Sequence, residues 1–144
     1  MKIIIASDHG GIELKKQLIK YLKNKKDIDI IDGGTNSKDS VDYPIYGFKA
    51  AEAVKNKEAD RGIIICGTGL GISMAANRIK GIRAALCHDT YLAKMSKLHN
   101  NSNVLALGGR TTEYKKALDI VETWLSTKYE GGRHERRLKM LDNH

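Results

Sequence analysis

A cysteine followed by glycine at every second position, Cys66-Gly67-Thr68-Gly69-Leu70-Gly71, carries the most pointed chemistry in this sequence of 144 residues. Ile63-Ile64-Ile65 before it is a β-branched apolar run, the pattern of a strand buried on both faces. Ile72 to Asn77 after it reads as the start of a helix. A strand that passes through glycines into a helix leaves several backbone N–H groups aimed at one point, and such a point attracts an anion. A thiol placed there can be activated as a base or nucleophile. The stretch therefore reads as a reactive cysteine beside a backbone anion hole. Against this stands the commoner fate of a free cysteine, burial as a small hydrophobe. A nucleotide loop does not fit: G-x-G-x-x-G would need glycine where Ile72 stands, and the Gly-Lys-Ser/Thr ending of a P-loop is missing.

Other candidate residues carry weaker signals. Asp8-His9 reads partly as a helix cap, since aspartate is a favoured cap, but His9 can also donate to a phosphate. Arg110, Arg133 and Arg137 can grip a phosphate or carboxylate bidentately, and the last two share a helix face; a solvated basic face is the plainer reading. His99-Asn100-Asn101 stands where a helix ends, as a C-terminal cap often does. Cys87 closes an apolar strand and reads as core, and His88 has no partner evident in the sequence.

Five short apolar runs carry these groups: Ile3–Ala6, Ile28–Ile31, Ile63–Ile65, Ile82–Leu86 and Asn103–Leu107. Helical patterns separate them. The first has Leu14, Leu18 and Leu22 on one face, with Lys15, Lys16, Lys20 and Lys23 elsewhere. A second opens at Asp42-Tyr43-Pro44, with Ile45, Phe48, Ala51 and Val54 supplying apolar surface. Others are expected over Thr90–Leu98, over Thr111–Thr127 and, strongly basic, over about 130–141. Strands alternating with helices give an α/β fold of three layers, a five-stranded parallel sheet flanked by helices, in one domain spanning residues 1–144. Ligands of such sheets bind outside the carboxyl ends of the strands. That rule gathers Asp8, His9, Cys66 to Gly71, His88, Asp89 and Gly108 to Arg110 on one edge, and favours chemistry over packing for Cys66.

Composition narrows the class further. Two cysteines far apart argue against a disulfide framework or a structural zinc site. No apolar run approaches the ~20 residues of a membrane span, and Met1-Lys2 leads straight into a strand, so a cytoplasmic protein without a signal peptide is expected. A net charge of +8 calls for negatively charged partners, nucleic acid or phosphorylated small molecules. Only 6% of residues are aromatic and the signatures of RNA-binding modules are missing, which disfavours a nucleic-acid-binding domain.

In combination, Ser7-Asp8-His9-Gly10-Gly11, Asp42-Tyr43-Pro44, Cys66-Gly67-Thr68-Gly69-Leu70-Gly71, His99-Asn100, Asn103-Val104-Leu105-Ala106 and Glu130-Gly131-Gly132-Arg133-His134 resemble the type B ribose-5-phosphate isomerases, from Met1 to Leu141. The same superfamily holds galactose- and allose-6-phosphate isomerases. The resemblance implies a Rossmann-like fold, a homodimer or tetramer, and no metal or organic cofactor. It makes Cys66 the base that moves a proton between C2 and C1, with Thr68 beside it. The amides from Gly67 through Gly69 and Leu70 to Gly71 would stabilise the enediolate oxygen. It gives His99 the opening of the furanose ring, with Asp8 orienting hydroxyls. Tyr43 and Asn100 become sugar-binding positions, and His9, Arg110, Arg133 and Arg137 the phosphate grip. It further implies a site shared across a dimer interface, with His99-Asn100 and Arg110 coming from the neighbouring subunit. Family members that replace the cysteine use a glutamate just past the glycine loop; Ile72 and Ser73 offer none, which fits the cysteine-base branch. The galactose enzymes divide their catalytic residues between two chains. Here all of them lie in one, which favours a self-sufficient homo-oligomer.

Overall fold

The computed structural model describes all 144 residues. Its strands are β1 (Lys2–Ser7), β2 (Asp29–Gly34), β3 (Arg61–Cys66), β4 (Ala84–Leu86) and β5 (Val104–Gly108). They form one sheet in the order β2-β1-β3-β5-β4, with every neighbouring pair parallel. The helices are α1 (Ile12–Lys23), α2 (Tyr43–Lys55), α3 (Leu70–Ala76), α4 (Thr90–Leu98), α5 (Tyr114–Ser126) and α6 (His134–Asp142). No helix is long and apolar enough to cross a membrane.

Side chains alternate across a strand, so each strand feeds two cores. Ile3, Ile5, Ile63, Ile65, Leu105 and Leu107 point to one side, where Leu14, Leu18 and Leu22 of α1 and Ile120, Val121 and Trp124 of α5 cover them. Ile4, Ala6, Ile64, Cys66, Val104 and Ala106 point to the other, beneath Ala50 and Ala51 of α2 and Ile72 and Ala76 of α3. Burial on both faces explains why the strands read as unbroken apolar runs rather than as alternating ones.

Several expectations shift in detail. The helix expected from Thr111 begins at Tyr114, because Thr111 donates back to the Gly108 carbonyl in a turn and Glu113 remains extended as the cap. The basic C-terminal helix begins at His134, four residues late, because Gly131 and Gly132 adopt positive φ. β2 runs on through Asp32-Gly33-Gly34, and β4 is three residues long. On α2 the buried face is Gly47, Ala50, Ala51 and Ala53, whereas Ile45 and Phe48 face outward. Small residues are selected there because α2 lies close against α3: a Cβ on Gly47 would stand 3.0 Å from the Ala75 methyl. Asp42 caps α2 by position only, without a side-chain hydrogen bond. Lys15, expected on the solvated face of α1, is fully buried, with its ammonium 2.7 Å from Asp32 and 2.9 Å from the Asn36 side-chain oxygen. Burial alone would push the Asp32 carboxyl up; the Lys15 hydrogen bond and the Gly34 amide outweigh it and hold the pKa below the usual range. That pair anchors the loop leading from β2 to α2.

Candidate active site

β1, β3 and β5 are neighbours, so their carboxyl ends deliver three loops to one place. The β5 loop is tied to the β3 loop by two backbone bonds, Gly109 N–H to the Cys66 carbonyl at 2.8 Å and Arg110 N–H to the Gly67 carbonyl at 2.9 Å. The β1 loop closes from the other side: a Cβ on Gly10 would stand 3.0 Å from the Gly67 nitrogen.

Within this ring Cys66 ends β3, and its sulfur accepts the Gly69 amide hydrogen at 3.1 Å. That bond requires Gly69 to turn through φ 80°, where a Cβ would meet the Leu107 carbonyl carbon at 2.9 Å, so glycine is needed there for both reasons. The amides of Gly67, Thr68, Gly71 and Ile72 have no acceptor within the chain. Thr68 is exposed beside them, its hydroxyl accepting from Leu70 N–H at 3.3 Å. The Tyr43 ring lies across Gly71, 2.6 Å from where a Cβ would be. Sulfur, hydroxyl and free donors thus lie within one short loop at the end of β3.

Asp8 and His9 stand on the β1 side. Asp8 is the cap its type predicts: it accepts the Gly10 amide at 2.8 Å and starts the short 3-10 turn over His9–Gly11. His9 Nδ1 accepts the Val41 amide at 3.1 Å, which fixes that nitrogen as the acceptor and leaves Nε2–H as the donor. Nothing in the sequence signals this backbone partner 32 residues away. Arg110 departs from expectation. Its Nη1 is 3.0 Å from where a Cβ on Gly67 would stand, so it lies beside its own chain's cysteine loop rather than reaching one only from a neighbouring subunit. The Arg110-to-Gly67 backbone bond is the cause.

His99, Asn100, Arg133 and Arg137 are not brought to this edge. α4 runs back down the sheet, so its C-cap His99 comes out beside the starts of β4 and β5. The Asn100 carbonyl accepts from Arg83 Nε at 3.0 Å, and Asn103 N–H donates to the Arg83 carbonyl. β5 begins one residue later and runs from Val104 to Gly108, opposite Cys66. Four residues of strand separate the two ends by roughly 13 Å. His99 stacks on His134 with ring centroids 4.2 Å apart and planes at 18°. Arg133 caps α6 and Arg137 lies on it, both exposed. The side-chain nitrogens of His99 and His134 and a Glu130 oxygen lie within 4.8 Å of one another. In a near-parallel stack the nitrogen lone pairs also run nearly parallel, so they do not converge as metal ligands must. Sequence reasoning did not assign Glu130 and His134 a role. The available signal was a glutamate and a histidine four residues apart across two glycines.

Of the remaining candidates, Cys87 is buried and its thiol is pushed up to about 11 by burial, as a core cysteine's would be. His88 is exposed on the carboxyl edge, 3.5 Å from the Asp89 carboxylate.

An open parallel α/β sheet with a thiol, free amides and cations at the carboxyl ends of its central strands defines a small-molecule enzyme of the switch-point kind. The comparisons specify which. Residues 3–141 match the family model described as Ribose/Galactose Isomerase. The chain is 45% identical over 140 residues to ribose-5-phosphate isomerase B of Escherichia coli, covering 97% of this chain and 93% of that protein. The structure of ribose-5-phosphate isomerase B from Clostridium thermocellum superposes with TM-score 0.97 at 55% identity, covering 99% and 96% of the two chains. That of the Mycoplasma genitalium enzyme with bound ribulose 5-phosphate gives TM-score 0.93 at 42% identity, covering 99% and 94%. The chain belongs to the ribose/galactose isomerase family and is a sugar-phosphate isomerase.

Proposed function

We propose that the protein interconverts ribose 5-phosphate and ribulose 5-phosphate, with Cys66 as the base, at a site completed by a second copy of the chain. The observation that carries the proposal is the Cys66 sulfur, in reach of the Gly69 amide and surrounded by amides without acceptors. In the open-chain aldose a thiolate takes the C2 proton. The bonding pair becomes the C1–C2 double bond, and negative charge moves onto O1 against the free amides. The thiol returns the proton to C1 while the O2–H proton passes to O1, leaving the ketone at C2. His9 Nε2–H, Arg110, Arg133 and Arg137 grip the phosphate, far enough from the reacting carbons to fix their geometry. Tyr43, Asp8 and Asn100 hold hydroxyls, Thr68 stands beside the base, and His99 opens the furanose ring.

Two features support a second copy. Ring opening and part of the phosphate grip stand at the far end of the sheet from Cys66, so one copy offers both halves without joining them. Leu70 and Met74 beside the cysteine loop, and Met140 and Leu141 on α6, are more than half exposed, and burying the remainder of each gains on the order of 1–2 kcal/mol.

The test is turnover of ribose 5-phosphate, allose 6-phosphate and galactose 6-phosphate by the parent and by Cys66→Ala. Turnover of the pentose that falls by about 10²–10⁴ in the variant supports reaction and base together. Undiminished turnover removes Cys66 from the mechanism. Activity on a six-carbon sugar alone moves the substrate while keeping the chemistry.

A further inference from the structure

The far end of the sheet holds more than the histidine that the proposed function uses. The Glu130 amide donates to the Leu98 carbonyl at 3.1 Å, which pins this segment to the last turn of α4. Gly131 and Gly132 then turn through φ 71° and 59°, a left-handed pair that only glycines adopt freely. The chain doubles back, and Glu130 and His134 arrive on the same ring, His99. His134 is nine-tenths buried and forms the lower face of the stack. One oxygen of Glu130 lies 3.7 Å from His99 Nε2 and 3.4 Å from His134 Nε2. His134 Nε2 has no hydrogen-bond partner: the carboxylate lies within ion-pair distance but off the N–H axis.

A buried imidazole without a partner needs a compensating reason. We infer that Glu130 and His134 are positioning residues that hold His99 for ring opening, His134 as the platform and Glu130 as the charge that selects its tautomer. This rests on the assignment of ring opening to His99. A carboxylate facing Nε2 favours the proton on that nitrogen, which leaves the Nδ1 lone pair as the working face of the ring. Nδ1 takes the proton from the C1 hydroxyl. The O1 electrons form the carbonyl, the C1–O4 bond breaks onto O4, and the same proton returns to O4. His99 is partly exposed and would otherwise sample several orientations.

The test separates ring opening from carbon proton transfer. Ribulose 5-phosphate has its 5-oxygen blocked by phosphate and stays acyclic, so exchange of its C1 hydrogen with D₂O, read by NMR, needs the base without ring opening. The full-length parent, H99N, E130Q and H134F are compared in this exchange and in steady-state turnover of ribose 5-phosphate. E130Q and H134F should lose kcat on the aldose by about 10- to 100-fold, less than acid–base catalysis as a whole contributes, with KM and C1 exchange within about 2-fold of the parent. E130D, which keeps the charge on a shorter stem, should recover part of the loss. Parental kcat in E130Q and H134F alongside a damaged H99N overturns the positioning role and leaves the His99 assignment standing. Equal loss of exchange and turnover also overturns it, because that is what general structural damage produces. An H99N enzyme with parental kcat overturns the ring-opening assignment itself, and this inference with it.

Discussion

The two ends of the sheet are built from opposite materials. At the carboxyl end the chain supplies donors: free amides, the His9 N–H and the Arg110 guanidinium, around one sulfur. At the amino end it supplies helix C-termini, carbonyls and the cations drawn to them. Arg83 donates to the Asn100 and Asn101 carbonyls and pairs with Asp142 at 2.7 Å. Lys97 donates to the Ser102 carbonyl at 3.0 Å and lies 5.6 Å over the Trp124 ring. Helix dipoles contribute to the division, since α1 to α5 begin above the carboxyl ends of the strands and finish below, whereas α6 starts beside the amino end. Under the proposed function, neither end alone has all the groups that isomerising a cyclic sugar phosphate needs, and unlike ends of two copies would together supply them.

Mixing two dead variants is the sharpest way to break that comparison. Cys66→Ala and His99→Asn should each be nearly inactive on ribose 5-phosphate. After unfolding and refolding together, mixed dimers carry one doubly damaged site and one intact site, so activity should rise to about one quarter of parental. No recovery would place both residues in one protomer's site.

A smaller effect is expected from the arginines, one from each end. Arg110→Ala and Arg137→Ala should each raise KM for the sugar phosphate by roughly 10- to 100-fold, as the loss of a hydrogen bond to a charged group does. Retention of KM in one of them would remove that end from the phosphate grip.

Lys97 tests the amino end through stability. Burial, with Arg61 and Arg83 nearby, lowers its pKa from 10.5 to about 8. The unfolded chain holds this proton more tightly than the folded one. The buried ammonium therefore destabilises the fold at neutral pH, and stability recovers as pH rises from about 8 towards 10.5. Lys97→Met should gain on the order of 1–3 kcal/mol at pH 7 and lose most of that advantage by pH 10, as read from urea midpoints. An advantage that does not change with pH would assign the effect to packing.

The smallest change is expected at Cys87. With its thiol raised to about 11 and buried, Cys87→Ala should leave kcat within about 2-fold and cost about 1 kcal/mol of stability in a thermal melt. A large loss of activity would mean that the carboxyl edge uses both cysteines.

Much of this was legible in the chain itself. The apolar runs at Ile3–Ala6 and Ile63–Ile65 and the glycines after Cys66 fixed a parallel sheet and the strand end where chemistry would gather, because period and turn residues are local properties. Asp8 as a cap and Cys87 as core followed from residue type alone. Lys15 was readable in principle, standing three and seven residues before Leu18 and Leu22 of the buried stripe, but a lysine there looks solvated until Asp32 and Asn36 are seen around it.

What only tertiary structure decided was which of these groups meet. The His9 tautomer depends on an amide 32 residues away, and the place of Arg110 on a backbone bond to Gly67. Glu130 and His134 reach His99 only because α4 ends where the Gly131-Gly132 reversal begins. The sequence determined the inventory of acids, bases and donors and the edge most of them share. Their pairing depended on distances between segments remote in sequence, and those are set by how helices cross the sheet, which no local pattern encodes.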